Sequence, residues 1–314
     1  MEPTISAPVQ EAIEHIAGSE ALLNAKLTEL TGLNPAELQL LSKVWAGIET
    51  ERRRQIMRRL TELAEDNLEL NFDSIFKFCL KDTDAEVRSL AIDGLWENEE
   101  ATLIEPLIGL LKNDSSEQVQ TAAALALGKF AILAEHDKLR SSHKTRIEEA
   151  LLSALNDKSK PIEVRRRTLE AAAPLNLPQV KQAIRQAYRS PDVRMKASSL
   201  YAMGKSLDPS WLPELLDELA SPDAELRYEA CGACGELEEA SAVPDIIRLV
   251  KDSDSDVRAA AIQALGRIGT VQARSCLKEC LESGNDTVRE AVEQALSEME
   301  AREDPLSFRL ESNN

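Results

Sequence analysis

The 314-residue chain is predicted to fold as an all-α solenoid, a superhelix of stacked antiparallel helix pairs. Three observations carry that expectation. The first is a recurring phrase in which an aliphatic residue and an arginine are followed, four and eight positions after the first, by mostly small or apolar residues. It reads Val87-Arg88…Ala91…Leu95, Val193-Arg194…Ala197…Tyr201, Leu226-Arg227…Ala230…Cys234, Val257-Arg258…Ala261…Leu265 and Val288-Arg289…Val292…Leu296. Looser copies are Val119-Gln120…Ala123…Leu127 and Val164-Arg165…Thr168…Ala172. These offsets place three residues on one face of a helix. The second is the spacing. Successive copies lie 32, 45, 29, 33, 31 and 31 residues apart, the period of a stacked repeat. The third is composition: 43% hydrophobic but only 4% aromatic, which suits Leu, Ala, Ile and Val cores buried between neighbouring repeats.

Along the chain, residues 1–34 are expected to form a helical cap, with a helix pair over 8–31 covering the first core face. Residues 35–70 form a divergent pair, its helices within 35–66. Asn34 can accept from the free amides of the first turn, and Pro35 takes the first helical position, where its missing N–H is not needed. Residues 71–303 hold seven repeats, with first helices near 72–81, 102–112, 146–156, 178–188, 211–220, 242–250 and 271–282. In the sharpest copy Asp254 caps a second helix running from Val257 to Leu265. That helix ends at Gly266 or Gly269, because glycine adopts the left-handed conformation without steric cost. Ser190-Pro191 and Ser221-Pro222 are read as the same kind of start, a capping hydroxyl before a proline. The long interval leaves an insertion at 134–144, holding His136 and His143, expected to be a connector or a partner-contacting loop. Residues 304–314 are expected to be a flexible tail.

The string from Ala242 to Gly269, with Ala-Val-Pro-Asp, Lys-Asp-Ser-Asp-Ser-Asp-Val-Arg and Ala-Leu-Gly-Arg-Ile-Gly in order, resembles the short HEAT-type repeat, the kind also found in phycobilisome lyases. The resemblance extends over residues 72–298. It implies the solenoid fold, a concave face lined by second helices, and an arginine that bridges to aspartates in adjacent turns. On that basis Arg88, Arg165, Arg194, Arg227, Arg258 and Arg289 form a structural ladder, with Gln120 as its exception. HEAT-like arrays serve as scaffolds, regulatory subunits, chromophore lyases, hydroxylases and DNA glycosylases, so the fold leaves activity open.

Composition narrows the field. No apolar run approaches the ~18 residues of a membrane span, and the N-terminus lacks a basic segment followed by an apolar one. Five cysteines at irregular spacing do not make a disulfide framework, and a cytoplasmic location is expected. Cys231 and Cys234 with Cys276 and Cys280 imitate a zinc pattern, but a whole repeat separates the two pairs, and a buried apolar role is expected. No metal, cofactor or catalytic residue is assigned. The chain has no His-Glu dipeptide, which sets aside the hydroxylases of the resembling family.

Charge is unevenly spread over a net −18: residues 158–196 carry +7, residues 1–157 carry −12 and residues 214–304 carry −13. Such asymmetry bears on partners. Positions two and three past the start of each phrase should face outward, so the candidate partner-binding groove comprises Arg166, Arg167, Met195, Lys196 and Tyr228. Lys181, Arg185 and Arg189 form a second basic stripe on a first helix. The expected function is a non-catalytic protein–protein interaction scaffold whose concave face takes a protein or peptide, acidic where it meets the basic middle. The alternative is a lyase or chaperone for a bilin-like chromophore, with Met195, Tyr201 and Tyr228 adding apolar contact. A glycosylase-like array comes third, since a net −18 opposes the phosphate contacts that dominate nucleic-acid binding.

Overall fold

The computed structural model describes residues 5–283 and 286–303; the tail at 304–314 lies outside the described residues. The chain is an all-α solenoid, its helices joined by short turns with no strand among the described residues. It divides into two compact units, residues 1–164 and 165–314. No described helix is long and apolar enough to cross a membrane.

In the first unit α1 (Ala7–Ala17) and α2 (Asn24–Leu27) precede the pair α3 (Pro35–Trp45) and α4 (Thr50–Asp66). Asn34 caps α3 as expected, its side chain accepting from Ala36 and Glu37 while Glu37 reaches back to the Asn34 amide. The pairs α5 (Asp73–Cys79) with α6 (Ala85–Asp93) and α7 (Ile104–Asn113) with α8 (Glu117–Glu135) follow, then α9 (Ser141–Asn156). The insertion at 134–144 is mostly helix: α8 and α9 lengthen into it and leave only residues 136–140 between them.

The division between the units falls in the first turn of α10 (Ile162–Ala172). Beyond it come α11 (Pro178–Tyr188), α12 (Val193–Lys205), α13 (Leu212–Glu218), α14 (Ala224–Leu237), α15 (Val243–Leu249), α16 (Ser255–Ile268), α17 (Val271–Ser283) and α18 (Asp286–Glu303).

Four second helices open on the same cap, and the caps set the register. Asp84, Ser116, Asp192 and Asp254 accept from the amides of Val87, Val119, Met195 and Val257, each three residues on. In α12 the first core residue is therefore Met195 and the phrase reads Met195-Lys196…Ser199…Met203. Val193 is 41% exposed whereas Met195 is buried. The dipeptide Val193-Arg194 imitates the phrase two residues early, and Ser190 and Ser221 are not the caps: their hydroxyls accept from Asp192 and Asp223, which are. With that correction Val164, Met195, Leu226, Val257 and Val288 stand a uniform 31 residues apart.

The uniform step brings second helices together on small residues. A Cβ on Gly204 would lie 2.7 Å from Ala233 Cα, one on Gly235 3.0 Å from Ala264 Cα, and one on Gly266 2.9 Å from Ala295 Cβ. The polar ladder is as regular but interrupted. Arg88 and Arg227 each donate to their own turn, at Asp82 O and Ser221 O, and form two 2.8 Å bonds to the next turn's Asp114 and Asp252. Arg258 donates back to Asp252 O, and Gln120 keeps that backward bond, to Asp114 O. Arg289 keeps the ladder register in α18.

Arg53, unmarked by the phrase, plays the same part toward Asp82. The ladder changes where serine occupies the acceptor place, at Ser190 and Ser221. Arg165 Nε is buried with no hydrogen-bond partner. Lys196, in the ladder position, bridges to Glu218 at 2.6 Å. Arg194 is outside the ladder: its side chain is 54% exposed and pairs with Asp192 of its own turn. Arg194→Ala is thus expected to change stability by no more than about 0.5 kcal/mol. Lys196→Ala removes the counter-charge of the buried Glu218 carboxylate, which keeps its bond from the Tyr188 hydroxyl, and is expected to cost about 2 kcal/mol; paired urea melts distinguish the two.

Candidate functional site

On the second helices of residues 165–303, the 31-residue step aligns equivalent positions into columns. Glu170, Tyr201, Gly232 and Gln263 occupy one, and Arg167, Ser198, Glu229 and Ala260 another. Lys205, Glu236 and Arg267 form a third. Between α12, α14 and α16 these columns enclose a pocket of about 150 Å³, lined among others by Tyr201, Tyr228, Glu229, Gly232 and Gln263. Tyr201 and Tyr228 are 38% and 44% exposed, and a Cβ on Gly232 would meet nothing within 4 Å. Gly232 therefore serves no packing need, unlike Gly204 and Gly235, and leaves the pocket floor open.

The charges around this pocket are largely tied to one another. Lys205 and Arg267 both pair with Glu236, the former at 3.0 Å. Arg167 pairs with Glu170 at 2.9 Å. Arg166 Nε donates to Ser198 Oγ, which in turn donates to Glu170 Oε1. Glu229 differs. Among the described residues its carboxylate has no hydrogen bond or ion pair, and burial, then the charges of Glu170 and Glu225, push its pKa up to about 7 against the pull of Arg166 and Arg167. A carboxyl group that holds its proton longer in the folded chain than in the unfolded one, where it titrates near about 4.3, lowers stability as the pH rises between those values. Glu229→Gln is therefore expected to be more stable than the parent at pH 8, by about 1–3 kcal/mol. The advantage should vanish near pH 4, as urea melts at both pH values would show.

Two segments, residues 72–142 and 212–297, match the family model described as HEAT repeats, together half of the chain. The chain belongs to the HEAT-repeat family. No curated protein matches it. Among solved structures this HEAT-repeat chain resembles importin beta at 15% identity and a TM-score of 0.51, over 93% of this chain and 44% of importin beta, a likeness of fold. It is also similar to the CpcE–CpcF complex of phycocyanin lyase from Nostoc sp. PCC7120, at 18% identity and a TM-score of 0.48, over 73% of this chain and 94% of that one. Against E. coli YibA the values are 14% and 0.45, over 80% and 98%.

The basic residues singled out by sequence are distributed differently from expectation. Met195 is core, so it adds nothing to a surface groove. Lys196 is held by Glu218 and lies 4.9 Å above the Tyr188 ring. Tyr228 is exposed and lines the pocket; Arg166 and Arg167 flank it through the Glu170–Ser198 network. The second stripe lies on α11, where Lys181 pairs with Asp208 at 2.5 Å and Arg185 stands over the buried Trp211 ring at 5.2 Å; Arg189 is exposed at the end of that helix. Cys231 and Cys234 are buried, and burial pushes the Cys234 thiol up to about 12. No three metal-ligating side chains come together among the described residues. Gly232 and Lys205 were missed by sequence reasoning, and Glu229, at the outward position after Tyr228, was left out of the candidate groove. Their signal was a mid-helix glycine, costly at about 1 kcal/mol, read against a register two residues off in α12.

Proposed function

We propose that the protein is a non-catalytic scaffold that captures a segment of a partner protein on the second-helix face of residues 165–303, anchored in the Tyr201–Tyr228 pocket. The observation that carries this reading is the pair of exposed tyrosines beside a glycine floor whose openness packing does not require. Size favours a side chain over a chromophore: small-molecule sites span about 300–1,000 Å³, against about 150 Å³ here. The basic groove residues behind the acidic-partner expectation, Arg166, Arg167 and Lys196, are engaged within the chain, which weakens its support. Panning random dodecapeptides against the full chain and a Gly232→Trp variant tests the proposal. Peptides enriched by the parent and lost with the filled pocket are the expected result. A chain that enriches none, or that acquires visible absorbance on mixing with bilins, would overturn it in favour of the chromophore alternative.

A further inference from the structure

We infer that the anchor is a cation: the pocket between Tyr201 and Tyr228 receives a lysine or arginine side chain of the partner segment, with the Glu229 carboxylate as its counter-ion. This rests on the peptide-capturing reading above and names the chemistry of its anchor.

The first ground is Glu229 itself. It is partly buried, yet among the described residues no donor reaches its oxygens. A carboxylate withdrawn from water without a donor is unfavourable, and an incoming ammonium or guanidinium supplies what the fold withholds. The nearby cations are engaged elsewhere, Arg167 with Glu170 and Lys205 with Glu236. The second ground is the walls. Tyrosine faces attract cations through the ring quadrupole, and this chain already uses that contact internally, with Lys205 Nζ 5.6 Å from the Tyr201 ring centre. The third is exclusion. The lining cations Lys205 and Arg267 are both tied to Glu236, so an anionic side chain would meet the unpaired Glu229 carboxylate, and an apolar one would desolvate Glu229 with nothing in return.

Binding should then depend on pH. The charged groups acting on Glu229 are Glu170, Arg166 and Arg167 on α10 and Glu225 on its own helix; Tyr201 of α12 responds to its charge, while α12 and α16 present Lys205 and Arg267 to the pocket, both paired with Glu236 of α14, beside uncharged Gln263. The cation needs Glu229 ionised, so its entry expels a proton near neutrality, and affinity should fall about tenfold from pH 8 to pH 6.

The test uses Nα-acetyl-lysine methylamide, with the norleucine and glutamate counterparts as controls, followed in the amide NMR spectrum of the full chain. The lysine probe should shift the Gly232 region saturably at pH 8, the controls should not, and Glu229→Gln should weaken the effect at least tenfold. Peptides enriched by panning should carry Lys or Arg at one fixed position. If peptides that depend on an open Gly232 show no such preference, or if Glu229→Gln leaves the lysine probe unaffected, the cationic anchor is overturned while peptide capture stands. If no enriched peptide depends on Gly232, both fall together.

Discussion

Arg53→Ala is expected to destabilise the chain by about 3–5 kcal/mol, the range for breaking a buried ion pair from one side. The Asp82 side chain is 1% exposed and Arg53 is 10% exposed. Asp82 accepts two bonds from Arg53 Nη1, at 2.9 and 2.7 Å, one from Trp45 Nε1 at 2.7 Å and one from the Asp84 amide at 2.8 Å. Removing the guanidinium leaves a buried carboxylate with neutral donors and no counter-charge. The cost therefore comes from the stranded acid more than from the lost contact. A second substitution, Asp82→Asn, should recover a large part of it by removing that charge. Because repeats in an array contact only their neighbours, the loss should concentrate around α4 and α6. Urea melts give the total, and native-state hydrogen exchange gives its location. A cost below about 1 kcal/mol would mean that the pair behaves as an exposed one.

Gly204→Val should be the next most damaging change, at about 3 kcal/mol. Its Cβ would fall 2.7 Å from the Ala233 backbone, and neither backbone can yield without separating α12 from α14. Gly232→Ala should act in the opposite direction, stabilising by up to about 1 kcal/mol, since its Cβ enters open space and alanine is the better helix former. Gly232 is mid-helix and Gly204 lies in the last turn of α12, and propensity alone would favour replacing either. Thermal melts of the two variants therefore separate packing from propensity.

The helix pairs were legible because apolar spacing within the phrase, capping residues and turn aspartates agree with one another over most of the array. Asn34-Pro35, Asp84 and Asp254 mark their helices as the chemistry of free N-terminal amides requires. The reading slipped at α12, where Ser190-Pro191 and Val193-Arg194 offer a plausible start two residues before the one Asp192 enforces. That slip put Met195 on the surface and obscured Lys196 as a ladder residue. Arg53 was invisible for a different reason: it stands within Arg52-Arg53-Arg54, and only burial against Asp82 separates it from its neighbours. The pocket was partly legible through Tyr228. Glu229 and Gly232 become meaningful only in three dimensions, since one matters for the donor it lacks and the other for the space above it.

The Gly–Ala step has an architectural consequence. Gly204 meets Ala233 as Gly235 meets Ala264 and Gly266 meets Ala295, so the junction between adjoining second helices is nearly interchangeable from one repeat to the next. A duplicated 226–256 segment would present Ala233 to Gly204 on one side and Gly235 to Ala264 on the other, and would bring its own Arg227 and Asp252. Tandem duplication in steps of 31 residues thus leaves every such junction intact, and the number of repeats is a quantity that selection can change without redesigning an interface.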